Sequence, residues 1–155
     1  MKGHLLFFTA AVVLLPLINV AGWAQEKYIP KADEELYGTW ANEKTFPPRT
    51  DINPGGTFSD YYPVSNPKPF RGGTTEIVKK WTGSDNSVYY YLLNTFTSGV
   101  YKGTRVQLLD KVSGSGKVLE TVWRMGMTTF DAERMPTEID PKDQNYQIFT
   151  RSGND

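Results

Sequence analysis

From Gly38 to Arg151 the chain is written in short runs of Thr, Tyr, Phe, Val and Trp, each closed off by Gly, Asn, Asp or Pro. Branched and aromatic side chains fit a pleated, half-buried surface, and the punctuating residues tolerate the backbone angles of tight reversal. No segment beyond the N-terminal apolar run repeats its apolar residues every three to four positions, so nothing reads as a sustained amphipathic helix. The pattern predicts strands at about 38–43, 56–63, 74–82, 87–97, 104–113, 117–126 and 145–151. The turns are the clearest part: Asn53-Pro54-Gly55-Gly56 leads into Thr57-Phe58, Gly83-Ser84-Asp85-Asn86 joins two aromatic strands, and Ser113-Gly114-Ser115-Gly116 joins another pair. Successive hairpins give an all-β, antiparallel up-and-down meander. One of seven or eight strands closes most simply into a small barrel, because closure removes exposed edges. Residues 44–55, 63–73 and 127–144 read as long loops at the barrel ends, where recognition tends to concentrate.

The N-terminus has a different character. Lys2 precedes an apolar run from Leu5 to Ile18, which Pro16 and Asn19 break near its end. That length matches the core of a signal peptide and falls short of the roughly 20 residues of a membrane-spanning helix. Gly22-Trp23-Ala24 then offers small residues at the positions a signal peptidase reads, just before Gln25. The expected organisation is a cleavable signal peptide at 1–24, a polar lead-in at 25–37 with room for one helical turn over 32–37, a barrel domain at 38–151 and a tail at 152–155. The protein is then exported, periplasmic or secreted. The absence of cysteine and of any Asn-x-Ser/Thr sequon points to a bacterial envelope, and without cysteine there is no lipid attachment through that residue.

Composition narrows the chemistry. The chain carries 17 basic and 17 acidic residues; Lys2 leaves with the leader, so the mature chain is about one unit negative. A nearly neutral chain whose longest basic run is Lys79-Lys80 has no electrostatic footprint for nucleic acid. The single histidine is His4, inside the leader, so the mature protein has neither His nor Cys. Ser-His-Asp and Cys-His catalysis and the usual zinc and copper ligands are therefore excluded, and no cofactor or metal is expected. Catalysis would have to rest on a carboxylate with Tyr, Lys or Ser, the carboxylates being Asp60, Glu76, Asp110, Glu120 and Glu138. Each is read first as a surface charge, and the protein is read as a non-enzyme.

Gly38-Thr39-Trp40 in the first strand and Arg151 in the last resemble the pattern of the lipocalins and wider calycins. More of the chain resembles small exported bacterial lipocalin-like proteins, in the phrases Ile52-Asn53-Pro54-Gly55-Gly56-Thr57-Phe58, Lys79-Lys80-Trp81-Thr82, Gly116-Lys117-Val118-Leu119-Glu120 and Tyr146 to Arg151. The resemblance implies that Trp40 closes one end of a barrel and that Arg151 packs across its ring, tying the first strand to the last. The other motifs of longer lipocalins are not recognisable, and a short barrel can be filled by its own side chains.

Alternation along each strand sorts the faces. Parity places Phe58, Asp60 and Tyr62 together, then Thr75, Ile77, Lys79 and Trp81, then Val106, Leu108, Asp110 and Val112, then Leu119, Thr121, Trp123 and Met125. The 87–97 strand is apolar on both faces, so its register stays open between Val88, Tyr90, Leu92 and Phe96 and the Tyr89, Tyr91, Leu93 face. The expected interior is lined by Phe58, Tyr62, Trp81, Tyr90, Leu108, Trp123 and Tyr146, which suits a small, mainly apolar ligand. A cavity of roughly 300 Å³ or more, open at one end, would favour such a binder. A filled barrel with an exposed apolar patch would favour a module that docks a protein partner or sits at the envelope.

Overall fold

The computed structural model describes residues 27–126 and 129–153; the expected signal peptide lies outside them. Eight strands follow one another around the barrel: β1 (Gly38–Ala41), β2 (Arg49–Asn53), β3 (Thr57–Tyr61), β4 (Arg71–Thr82), β5 (Val88–Ser98), β6 (Arg105–Ser113), β7 (Val118–Met125) and β8 (Tyr146–Arg151). Each is antiparallel to its neighbours, and β1 pairs with β8 to close the barrel. The meander and its closure are as the turns predict. Helix among the described residues is limited to one 3₁₀ turn, Ala132–Arg134.

The eighth strand is β2, in a stretch read as loop. Its sequence, Arg-Thr-Asp-Ile-Asn, has one apolar residue, so it lacks a strand's composition. Its alternation is nonetheless regular: Thr50 and Ile52 line the interior, while Arg49 and Asp51 pair with each other at 2.9 Å. β4 likewise begins three residues before the expected Thr74. Gly72 and Gly73 look like loop residues, but they sit where backbones crowd. A Cβ on Gly72 would stand 2.8 Å from the Phe58 carbonyl oxygen, and one on Gly73 would run into the Thr95 carbonyl. Glycine is what lets β4 pass there, at a register shift against β5.

A second shift lies between Ile77 and Lys79. The extra residue reverses parity downstream, as a bulge must. Thr75 and Ile77 are buried, but it is Lys80, not Lys79, that reaches the interior, where its Nζ meets Glu34 at 2.5 Å. Trp81 is thereby turned to the outer surface, which corrects its expected interior place.

The lead-in is part of the barrel rather than a free arm. It forms two tight turns instead of a helical one, and it sets Leu36 and Glu34 into the base, closing that end. Leu36 joins Trp40, Tyr90, Leu92, Val112, Leu119 and Phe149 in the principal core. The open register of β5 resolves with Val88, Tyr90, Leu92 and Phe96 inward. Its other face is apolar for a separate reason: Tyr91 and Leu109 are covered from outside by Met135, Phe130 and Ile139 of the β7–β8 connection.

At the base, Arg151 lies opposite Trp40 in the β1–β8 ladder, its guanidinium carbon 4.4 Å from the indole centroid. It donates to the carbonyls of Gly116 at 2.5 Å, Tyr37 at 2.8 Å and also Glu35. Trp40 is fully buried and donates its indole N–H to the Leu36 carbonyl at 2.8 Å. Gly38 belongs to the same device. Its φ is +146°, and a Cβ there would sit 2.6 Å from Arg151 Nη1, which its carbonyl partners hold in place. The sequence spacing therefore has a mechanical reading: glycine clears the space, tryptophan fills the base, and arginine staples the ends of the meander together.

Candidate functional site

Above that base the interior is not filled. A cavity of about 180 Å³ lies between Ile52, Leu92, Leu119 and Phe149 at the floor and the mouth side of the barrel. Its walls carry Phe58, Phe96, Val106, Leu108 and Trp123. It reaches the surface where Phe46 and Met125, both about half exposed, stand at its edge.

Of the seven residues expected to line the interior, Phe58, Leu108 and Trp123 line this cavity. Tyr90 points inward but lies below it, fully buried, with its hydroxyl donating to Glu34 at 3.2 Å. The other three are corrections. Trp81 is outside because of the β4 bulge, stacked on Tyr89 at 5.3 Å and packed against Tyr91. Tyr62 lies just past the end of β3, is 59 % exposed, and meets Phe46 at 5.8 Å. Tyr146 is on the outer face because β8 turns Gln147 and Phe149 inward; its hydroxyl donates to Glu120 at 2.9 Å.

The polar lining was hidden in the sequence, because isolated charges in a strand read as solvent-facing. Asp60 and Arg71 face each other across the β3–β4 ladder and form a nearly buried ion pair at 2.6 Å. Burial raises the Asp60 carboxyl, and Arg71 opposes that rise by charge and hydrogen bond. The Arg71 guanidinium is also ringed by aromatic faces, with Phe46, Phe70, Phe96 and Tyr101 centroids at 5.0–5.4 Å.

Asp110 stands differently. It is 2 % exposed, lines the cavity, and its Oδ1 reaches no donor. Burial pushes its carboxyl up to about 7. The neighbouring Thr121 hydroxyl partly opposes the rise, yet that hydroxyl completes no hydrogen bond of its own. Asn94 Oδ1, also in the lining, is enclosed and unpartnered as well. The remaining carboxylates are ordinary surface groups: Glu76 pairs with exposed Lys27 at 3.3 Å, Glu120 lies on the outer face near Lys111 at 3.7 Å, and Glu138 is exposed.

Among the described residues no three His, Cys, Asp or Glu side chains are grouped to hold a metal ion. No described helix is long and apolar enough to cross a membrane. No protein-family model, curated protein or solved structure matches the chain.

Proposed function

We propose that the protein is an exported, lipocalin-like barrel that binds a small, mainly apolar ligand and performs no chemistry on it. The observation that carries this reading is the cavity: apolar floor, aromatic walls, a few enclosed polar atoms, and an opening at one end. Concave, mostly apolar sites with sparse, fixed polar groups are what small-ligand recognition needs. Its size restricts the ligand. About 180 Å³ lies below the roughly 300–1,000 Å³ of sites for drug-sized molecules. It slightly exceeds the about 150 Å³ of an apolar protein cavity that takes up benzene. The fitting ligand is therefore one ring or a short chain with a small head, rather than a lipid or a large pigment. The non-catalytic part of the proposal draws on Asp60, whose Oδ2 is already engaged by Arg71.

Trp123 supplies the test, since Trp40 and Trp81 lie outside the lining. Titrating the purified protein with toluene, benzyl alcohol and benzylamine should give a saturable fluorescence change with at least one of them. Leu108→Phe, which extends a wall residue into the cavity, should abolish it while leaving the circular dichroism unchanged. A well-folded protein that responds to none of the three, at any pH between 5.5 and 8, removes this reading.

A further inference from the structure

Asp110 is a buried acid that the fold does not use. The base of the barrel shows how this chain treats a buried carboxylate it needs for structure: Glu34 has Lys80, Tyr28, Tyr90 and the Lys31 amide around it. Asp110 has none of these. On its own strand the neighbouring Lys111 points outward, to Asp85 at 3.0 Å. From β5 it faces Tyr90, whose hydroxyl is turned away to Glu34, and from β7 it faces Thr121. Across the cavity the ionisable groups are Asp60 and Arg71, which neutralise each other, and the Tyr101 phenol, whose ring lies beside the Arg71 guanidinium; Thr50 of β2 and Gln147 of β8 carry no charge. Asp110 is thus the one carboxylate in the lining without a charge partner, and the enclosed atoms left unpartnered there, on Asp110, Thr121 and Asn94, are all oxygens.

We propose that the cavity takes a ring-sized or short-chain primary amine, its ammonium donating to Asp110 Oδ1 and Thr121 Oγ while its apolar body packs against Phe58, Leu108 and Trp123. The inference rests on the small-ligand reading above and specifies its head group. Three physical facts favour an amine over other heads. An acceptor-rich pocket rewards donors, and an ammonium carries three of them. A cation beside a buried carboxylate converts the desolvation penalty of each charge into their mutual attraction, with hydrogen bonds completing the pair. An anionic ligand would meet Asp60 and Asp110 with Arg71 already committed. Asp110 and Thr121 are directly opposed in the β6–β7 ladder, within reach of one donor group.

The proposal couples binding to protonation. A carboxyl titrating near 7 must ionise to hold an ammonium, so the apparent affinity follows the ionised fraction. Between pH 8 and pH 6 the affinity for benzylamine should fall about tenfold, while that for toluene should hardly move.

The experiment compares benzylamine, benzyl alcohol and toluene by calorimetry on the purified protein at pH 6 and pH 8, with Asp110→Asn and Thr121→Val alongside. The expected result is benzylamine tightest at pH 8, losing about tenfold by pH 6, with that preference and its pH dependence absent from Asp110→Asn and weakened in Thr121→Val. Asp110→Asn keeps the shape of the side chain, and toluene binding reports that its cavity is intact. If toluene binds as tightly as benzylamine at pH 8, or if Asp110→Asn retains the amine preference, the amine assignment is overturned and the apolar-ligand reading stands. If none of the three binds wild type, both fall together.

Discussion

At the closed end of the barrel Glu34 is 4 % exposed, and its carboxylate is met by an ammonium, two phenols and a backbone amide. On the cavity side Asp110 is 2 % exposed and one of its oxygens meets nothing. The two acids are buried to a similar degree and titrate in opposite directions. Burial alone would raise Glu34, but Lys80, Tyr28 and the Lys31 amide outweigh it and bring the carboxyl down to about 2. Burial raises Asp110 to about 7, with little to oppose it. The difference separates a polar group built to hold the fold from one the fold tolerates. Buried polar groups are nearly always satisfied, and this exception beside a cavity is the observation on which the proposed head-group site rests.

The sharpest way to break the structural half of this contrast is Trp40→Ala. It removes a fully buried indole, the ring under Arg151 and the bond to the Leu36 carbonyl. Large-to-small changes of this kind destabilise by about 3–5 kcal/mol. A urea midpoint within error of wild type would show that the base is not what closes the barrel. Glu34→Ala should follow at about 1–3 kcal/mol, the usual consequence of stranding a buried donor, here the Tyr90 hydroxyl, with half-buried Lys80 losing its partner too.

Asp110→Asn tests the other half, and its sign is opposite. A carboxyl raised in the folded state binds its proton more tightly there than in the unfolded chain. Its contribution is therefore most favourable near pH 4 and declines as pH rises from about 4 toward 7. Glu34 behaves in reverse: its contribution is complete above about 4.5 and is lost as pH falls toward about 2. Wild-type stability should consequently peak in mildly acidic solution and decline toward neutrality. Asp110→Asn should remove that decline and gain on the order of 4 kcal/mol at pH 8. Thermal melts across pH 3–8 measure both; a wild-type curve flat from pH 5 to 8 would contradict an unpaired, buried Asp110.

How much of this was legible beforehand divides along the same line. The closed end was legible through the resemblance carried by Gly38-Thr39-Trp40 and Arg151, which implied that Trp40 closes one end and Arg151 packs across its ring; that Gly38 clears the space for the guanidinium is visible only in the structure. The turns at 83–86 and 113–116 fixed the meander through residue type. The cavity was not so legible. Parity is a local rule, and the β4 bulge breaks it between Ile77 and Lys79, sending Trp81 outside. Hydrophobicity left the register of β5 open, because its outer face is also apolar and packs under the β7–β8 connection, and it misplaced Tyr146, which turns out toward Glu120. β2 was missed because its inward residues are Thr50 and Ile52 and its outward ones an ion pair. Asp60 and Asp110 did fall on inward parity, yet a lone acid in a strand reads as solvent-facing until a neighbour or a void is seen beside it.

Tyr62 offers the smallest effect and a clean check on that lesson. It shares parity with Phe58, and composition gives no reason to separate the two. The structure separates them by where β3 ends: Phe58 is 4 % exposed and touches Phe96 edge-on at 5.1 Å, whereas Tyr62 is 59 % exposed beyond Tyr61. Tyr62→Ser should change stability by less than about 0.5 kcal/mol, as surface substitutions do. Phe58→Ala should destabilise by about 3–5 kcal/mol. The pair also discriminates function. Phe58 is a wall of the cavity, so its truncation enlarges the site and should weaken toluene and benzylamine alike, leaving their ratio unchanged. Tyr62→Ser should leave both affinities where they are. If Tyr62→Ser instead weakens the probes as much as Phe58→Ala does, the binding surface extends over the rim by Phe46, and the ligand is larger than the cavity alone admits.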